Sequence, residues 1–369
     1  MPRRVVAPDP ITGKESTADL IRDTFPAYAG RNVREAFRLM RTAVDDNYFT
    51  FMTLSGAMTP AGIHHSCLLP LIEAGLVDSL TTTGANLYHD IHRSIGHSVC
   101  EIEPDGSDIE YRNEETVRIY DLAVTHEILC ETDKFIGRTL RTEPFQRSMS
   151  CPEFHCELGR ALAEHEEKQR VSPPSLLATC YRFGVPIFCG APQDGSMFLE
   201  AIQLSLLDEG FRFNLDIKRD VLQMAALQYL AQSEGNTAVW IIGGGVPKNF
   251  TLQGEPTLSQ VLGLEARGFD LDVQICVDVA DNGALSSCSA SEGHTWGKTS
   301  AKCAESKSVY LRCDVTVALP LLTHALIGEL RAPRRPKRLM DRLQDAEDFA
   351  RKEFKRIFSG PNPPLYSGY

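Results

Sequence analysis

The chain has 369 residues, 43% hydrophobic and 24% charged, enough apolar material for one large domain or two small ones with a packed core. Its formal net charge is −11, which argues against nucleic acid as a partner, because phosphate binding needs a basic face. No stretch reaches the roughly 20 apolar residues of a membrane helix, so no membrane partner is expected.

Met1 to Asp9 lacks the apolar segment of a signal peptide. Eleven cysteines without such a signal point to a reducing compartment, and their odd number cannot pair fully within the chain. We therefore expect a cytoplasmic protein with free, mostly buried thiols.

Residues 1–30 carry Pro2, Pro8, Pro10 and Pro26 and read as an N-terminal arm with at most one short helix. A helical period then begins at Asn32, with Val33, Ala36, Phe37, Met40, Ala43 and Val44 on one face. Residues 48–54 read as a strand. Pro60 opens a helix that Gly75 ends, and residues 77–82 form a second strand. Residues 113–135 and 152–169 are predicted helical, 185–188 a short buried strand, and 196–207 and 216–233 helical again. Residues 237–242 make a strand that enters a glycine run. A helix over 256–267, strands over 273–277 and 309–313, and a helix over 318–330 complete the alternation. Strands separated by helices of this length predict an α/β fold: a Rossmann-like, mostly parallel sheet with helices on both faces. A main domain over 31–330 would then precede a C-terminal helical extension and tail over 331–369. There Arg331, Arg334, Arg335, Lys337 and Arg338 form a basic cluster, Leu339, Leu343, Ala346 and Ala350 recur at helical spacing, and residues 361–369 look loose.

Four motifs bear chemistry. Gly243-Gly244-Gly245 follows a buried strand, so backbone can approach a ligand there and a helix start can hold phosphate, or the run simply makes a tight turn. It is not the GxGxxG fingerprint of an ordinary dinucleotide fold. Thr82-Thr83-Gly84 ends another strand, where hydroxyls suit ribose or phosphate, or cap a helix. In Glu292-Gly293-His294-Thr295-Trp296-Gly297-Lys298, a lysine beside a tryptophan could be desolvated into a nucleophilic amine, or be an exposed lysine next to a core Trp. His89 and His92 can share a helix face with His97 nearby, but a metal site needs three or four converging ligands that nothing fixes, so no metal is expected.

The third motif resembles the catalytic segment of deoxyhypusine synthases. Gly243 to Val246, Thr82-Thr83-Gly84 with Asp90, the strand-end Asp194-Gly195-Ser196, and Asp314 before Val315 follow in that family's order across roughly residues 45–330. Leu252-Gln253 and the tract 274–287 are more similar to the bacterial deoxyhypusine-synthase-like branch than to the protein-modifying one.

The resemblance implies a chemistry. NAD oxidises a polyamine donor such as spermidine, Lys298 captures the fragment as an imine, and an aminobutyl unit passes to an acceptor amine. By the same resemblance Trp296, Glu292, Asn249 and His89 meet the substrate. Thr82, Thr83, Gly84, Asp194, Gly244, Gly245, Asp314 and Val315 hold NAD, and four copies form a homotetramer. The acceptor is expected to be a small amine, as in homospermidine synthesis. One alternative is a true deoxyhypusine synthase acting on a lysine of translation factor 5A. Another is a catalytically reduced NAD-binding subunit of an active paralogue. This sequence departs from the family where His89, Leu199 and Leu285 replace acidic residues and Asn249 replaces a histidine. A neutral amide cannot do imidazole acid–base work.

Overall fold

The computed structural model describes residues 5–359. Six parallel strands form its main sheet: β1 (Phe49–Leu54), β2 (Ser79–Thr82), β3 (Ile187–Cys189), β4 (Thr237–Ile242), β5 (Leu271–Cys276) and β6 (Ser308–Arg312). Their spatial order is β6-β5-β4-β1-β2-β3. Thr53 of β1 lies between Thr81 of β2 and Ile241 of β4. The order reverses between β1 and β4, so the chain leaves these two neighbours in opposite directions and opens a crevice at their carboxyl ends, where open α/β sheets bind ligands.

Strands β1, β4 and β5 are buried on both faces, their few polar residues included. Side chains alternate between two cores. Ala238, Trp240 and Ile242 of β4 enter the larger one, with helices Tyr28–Asp45 and Val315–Gly328. Val239 and Ile241 enter the other, with helix Ile217–Glu234. The C-terminal helix Leu343–Phe358 supplies Leu343, Ala346 and Ala350 to this second core. Tyr229 stacks on Phe349, with ring centroids 5.1 Å apart, and Arg219 pairs with Glu347 at 3.0 Å. Upstream, Lys337 reaches between the strands and meets Asp78 at 2.9 Å. All eleven cysteines are free thiols, and Cys67, Cys151, Cys180, Cys189, Cys276 and Cys303 are buried.

Two predicted helices are corrected. Residues 113–135 do not form one helix: Thr116–Ile119 and Leu122–Thr125 pair as an antiparallel hairpin, joined by Cys100–Glu101, and a helix starts only at His126. The β-branched residues Thr116, Val117, Ile119, Val124 and Thr125 favour the pleated strand, and Tyr120 at the turn takes a positive φ of 56°. Residues 256–267 hold only short turns, Gly254–Pro256 and Thr257–Val261, before irregular chain in which Gly263 has φ 61°. Helix Leu176–Phe183 was not expected, while Gly84–Ser94 carries His89 and His92 on one helix, as their spacing suggested, and Gly245–Leu252 opens at the glycine run. The loose tail expected over 361–369 lies outside the described residues.

Candidate active site

The glycine turn after β4 meets the end of β1 at the crevice. The Ser55 hydroxyl donates to the Gly244 carbonyl and accepts from the Gly244 N–H at 3.2 Å. Two of the three glycines are needed for packing within the chain. A Cβ on Gly243 would lie 2.9 Å from the Ser55 Cβ, and one on Gly244 2.7 Å from the Ser286 Cβ. Gly245 differs, because a Cβ there would meet nothing within 4 Å, and it begins helix Gly245–Leu252 without a side-chain cap. No side chain caps the N–H groups of Gly245 and Val246, so this exposed helix start is suited to phosphate.

The second turn is largely self-satisfied. Thr82 is buried and donates to the Leu54 carbonyl at 3.1 Å, while Thr83 donates to the Gly56 carbonyl at 2.7 Å and caps helix Gly84–Ser94. Capping, one of the two roles open to Thr83 from sequence, is thus present. Gly84 nearly touches the loop after β3: a Cβ on it would sit 2.6 Å from the Gly195 Cα. That contact brings Asp194, which is exposed, alongside Thr83 and Gly84. Asp314 lies at the end of β6 and caps helix Val315–Gly328 through Thr316 N, at 2.8 Å, with Val315 buried behind it. β6 lies two strands beyond β4, about 10 Å at the usual strand spacing, a span a dinucleotide can bridge.

Beside the glycine turn lies a cleft of about 630 Å³. Its apolar wall is Val221, Val246, Phe250, Leu252 and Leu285, and its polar groups include Lys248, Asn249, Gln253 and Lys298. Among the described residues no Asp or Glu lines it. Lys298 is half-buried, and burial pulls its pKa below 10.5, with Lys248 acting in the same direction and Cys288 and Glu292 against it. Its Nζ lies 3.4 Å from Asn249 Oδ1 and 5.7 Å from the Trp296 ring centroid.

Three expected residues are thereby gathered: Lys298 and Asn249 on the cleft, Trp296 against the Lys298 ammonium. Trp296 is 58% exposed, so the cleft walls rather than the indole desolvate the lysine. The buried tryptophan is Trp240. Glu292 is exposed at the start of helix Ala290–Thr295 and acts on Lys298 only through its charge. His89 is not on this cleft. It bonds His92 Nε2 at 2.9 Å, His92 in turn meets Thr132, and burial pulls the pKa of both rings down. Nearby, the Tyr88 hydroxyl donates to Asp133 at 2.7 Å, and the Glu200 carboxylate bears on Tyr88.

The sequence reading passed over Lys248 as a site residue. It is only 4% exposed, and its Nζ donates to Gln274 Oε1 at 2.8 Å, the Cys288 carbonyl at 2.9 Å and the Ser286 carbonyl at 3.3 Å. A lysine one helical turn after Gly245, on a helix opening at a glycine turn, was the signal available.

The family model for deoxyhypusine synthase matches residues 20–326. The chain belongs to the deoxyhypusine synthase family. A deoxyhypusine synthase-like protein of Nostoc sp. is 41% identical over 351 residues, covering 95% of this chain and 91% of that protein. Another, from Cyanothece sp., is 42% identical over 344 residues, covering 91% and 85%. A crystal structure from Entamoeba histolytica bearing the deoxyhypusine synthase name shares the fold, with a TM-score of 0.55 at 12% identity, over 89% of this chain and 98% of that one. Membership and the mostly parallel α/β sheet thus stand as the sequence motifs led us to expect. Among the described residues no helix is long and apolar enough to cross a membrane.

Proposed function

We propose that the protein is an NAD-dependent transferase that carries an alkylamine fragment as an imine on Lys298. The observation that carries this is a half-buried lysine, with a lowered pKa, on a cleft that also contains the open helix start at Gly245. Only the neutral amine attacks an imine carbon, so the lowered pKa moves Lys298 towards its reactive form.

The residues present fit a dinucleotide. The N–H groups after Gly244 and Gly245 would hold its pyrophosphate, with Thr83, Gly84 and Asp194 on one side and Asp314 and Val315 towards β6. NAD, when bound, accepts a hydride from the donor amine and later returns it. Thr82 lies beneath, fixing the β1 and β2 ends. Lys298 then adds to the oxidised carbon, and the leaving amine departs with the proton that the lysine gives up. Asn249 orients the lysine through its carbonyl oxygen. As an amide it moves no proton, so the exchange relies on the amines themselves.

The donor in this reading is a polyamine, and the acceptor a small amine, as in homospermidine synthesis. The cleft has no carboxylate of its own for a cationic chain. A second copy offers a source, because exposed apolar residues Leu199, Ile202, Leu206 and Leu207 on helix Ser196–Leu207, and Val246 and Leu285 at the cleft, call for cover. A neighbour docked there, within a homotetramer, could bring His89 with Asp133 and Glu200 to the cleft mouth. The test is a stopped reaction with NAD and a panel of di- and triamines, followed by chromatography. Release of a smaller diamine with NADH formation supports the reading, and bound NAD with no amine consumed removes it.

A further inference from the structure

We infer that Lys248 is a positioning residue whose fixed positive charge keeps Lys298 neutral enough to react. The inference rests on the reading of Lys298 as the imine-forming lysine and adds the device that activates it.

An ammonium has three N–H bonds, and Lys248 has three acceptors: the Gln274 side-chain oxygen and the carbonyls of Ser286 and Cys288. All three are neutral, so the group is solvated without being neutralised. Gln274 is locked in turn, because its Nε2 donates to the Gly243 carbonyl at 2.9 Å and the Ser286 carbonyl at 2.7 Å. The amide therefore presents oxygen, not nitrogen, to Lys248. One network thus ties the glycine turn, β5 and the 286–288 loop around a single cation. Lys248 and Lys298 line the same cleft.

The charged groups around the pair are few. Glu292 bears on Lys298 from helix Ala290–Thr295 and favours its ammonium, as would Cys288 of the preceding loop in its thiolate form. Asp272, buried on β5 two residues before Gln274, bears on Lys248, and burial raises its own pKa to about 6. Neither carboxylate hydrogen-bonds either lysine. A like charge at close range disfavours protonation, and in a cleft walled by apolar side chains it is weakly screened. Burial of Lys298 is only partial, and the Lys248 charge adds to it in the same direction, against Cys288 and Glu292. A desolvated lysine beside a second cation is a recognised way to activate an amine nucleophile. Lys248 itself has no free N–H with which to touch a substrate, and so it acts through Lys298.

The test uses the full-length protein without NAD or amine donor. Propanal and cyanoborohydride label each lysine at a rate proportional to its neutral fraction, and peptide mapping across a pH series gives a midpoint for Lys298. The wild type should show a Lys298 midpoint below that of exposed lysines such as Lys302. Lys248→Gln should move it to higher pH by about one unit, lowering labelling at neutral pH about tenfold, while Lys248→Arg keeps it near the wild type. A merely structural role for Lys248 would alter folding but not displace the midpoint. Lys248→Gln could fail to fold, so Ala284→Asp, on an exposed part of the cleft wall, provides a second reading. An added anion there should also raise the midpoint. Unmoved midpoints in whichever of Lys248→Gln and Ala284→Asp fold would overturn the inference. If wild-type Lys298 labels no faster than Lys302, the imine reading itself fails, and the two failures are distinguishable.

Discussion

Replacing Lys337 by methionine tests how firmly the C-terminal extension is built into the catalytic body. Lys337, together with Arg334, carries charge from that segment to the strands' amino ends. Its Nζ donates to Asp78 at 2.9 Å and to the Tyr48 carbonyl at 2.8 Å, and lies 4.8 Å from the Phe49 ring centroid. The two side chains are 11% and 1% exposed, so screening by water is slight. Asp78 also accepts from Thr50 N at 2.8 Å, which holds the start of β1 against β2. Met fills the space of the stem but leaves a buried carboxylate facing one backbone N–H and the more distant Arg334. Breaking a buried pair from one side costs about 3–5 kcal/mol, a third or more of the total stability of about 5–15 kcal/mol typical of native proteins.

The pH dependence has a definite sign. Burial raises the folded-state pKa of Asp78, while Lys337, Thr50 N and Arg334 pull it down. A raised folded pKa gives stability that is present below the unfolded value of about 3.9 and lost as pH rises through the folded value. Removing Lys337 raises that folded pKa further, so the deficit of Lys337→Met should be small at pH 4 and largest near pH 8. Urea unfolding at both pH values, with Asp78→Asn and the double variant, closes the cycle. The double variant should recover much of the loss, because no charge remains stranded. A deficit below 1 kcal/mol at pH 8, or one independent of pH, would refute the reasoning.

Gly84→Ala should weaken NAD binding at least tenfold and destabilise the fold by about 1–3 kcal/mol, since its Cβ would sit 2.6 Å from the Gly195 Cα; calorimetry and thermal unfolding read the two effects. Lys298→Arg should leave NAD binding intact yet abolish the covalent adduct, because guanidinium stays protonated; intact mass after reduction reports it. Glu255 is buried, accepts from Gly268 N and Gln232, and burial raises its pKa to about 8. Its contribution should therefore fall as pH rises from about 4.3 through 8, and Glu255→Gln should flatten that part of the stability profile, as denaturation midpoints across pH will show.

Much of the fold was legible because strand runs and helix faces differ in period. The apolar run of β4, and the apolar residues on both faces of β1, called for burial on both faces, and the structure provides two cores. Residues 116–125 misled because their apolar spacing also fits a helix; the hairpin pairing of Thr116–Ile119 with Leu122–Thr125 decides against it, and Cys100–Glu101 adds a third strand that local pattern cannot supply. Helix Gly84–Ser94 was suggested by the His89–His92 spacing, but its extent was not legible because its polar residues, Asn86, Asp90 and His92, are buried: Asp90 receives Leu176 N at 2.8 Å and Leu177 N at 2.9 Å from another helix. In the site, Lys298 and the glycine turn were visible as motifs. The neighbourhood of Lys298 was not, because Lys248, Gln274 and Cys288 come from separate elements that only folding brings together. Trp296 shows the converse, since adjacency in sequence suggested shelter that an exposed indole does not give.

The most direct test of the central claim is mass spectrometry of the intact protein after incubation with NAD, a natural di- or triamine and borohydride. The account predicts one added alkylamine fragment per reactive subunit, mapped to Lys298, absent without NAD and absent in Lys298→Arg. A protein that binds NAD yet shows no labelled lysine with any such amine, or an adduct on Lys248 or Lys302 instead, would contradict it.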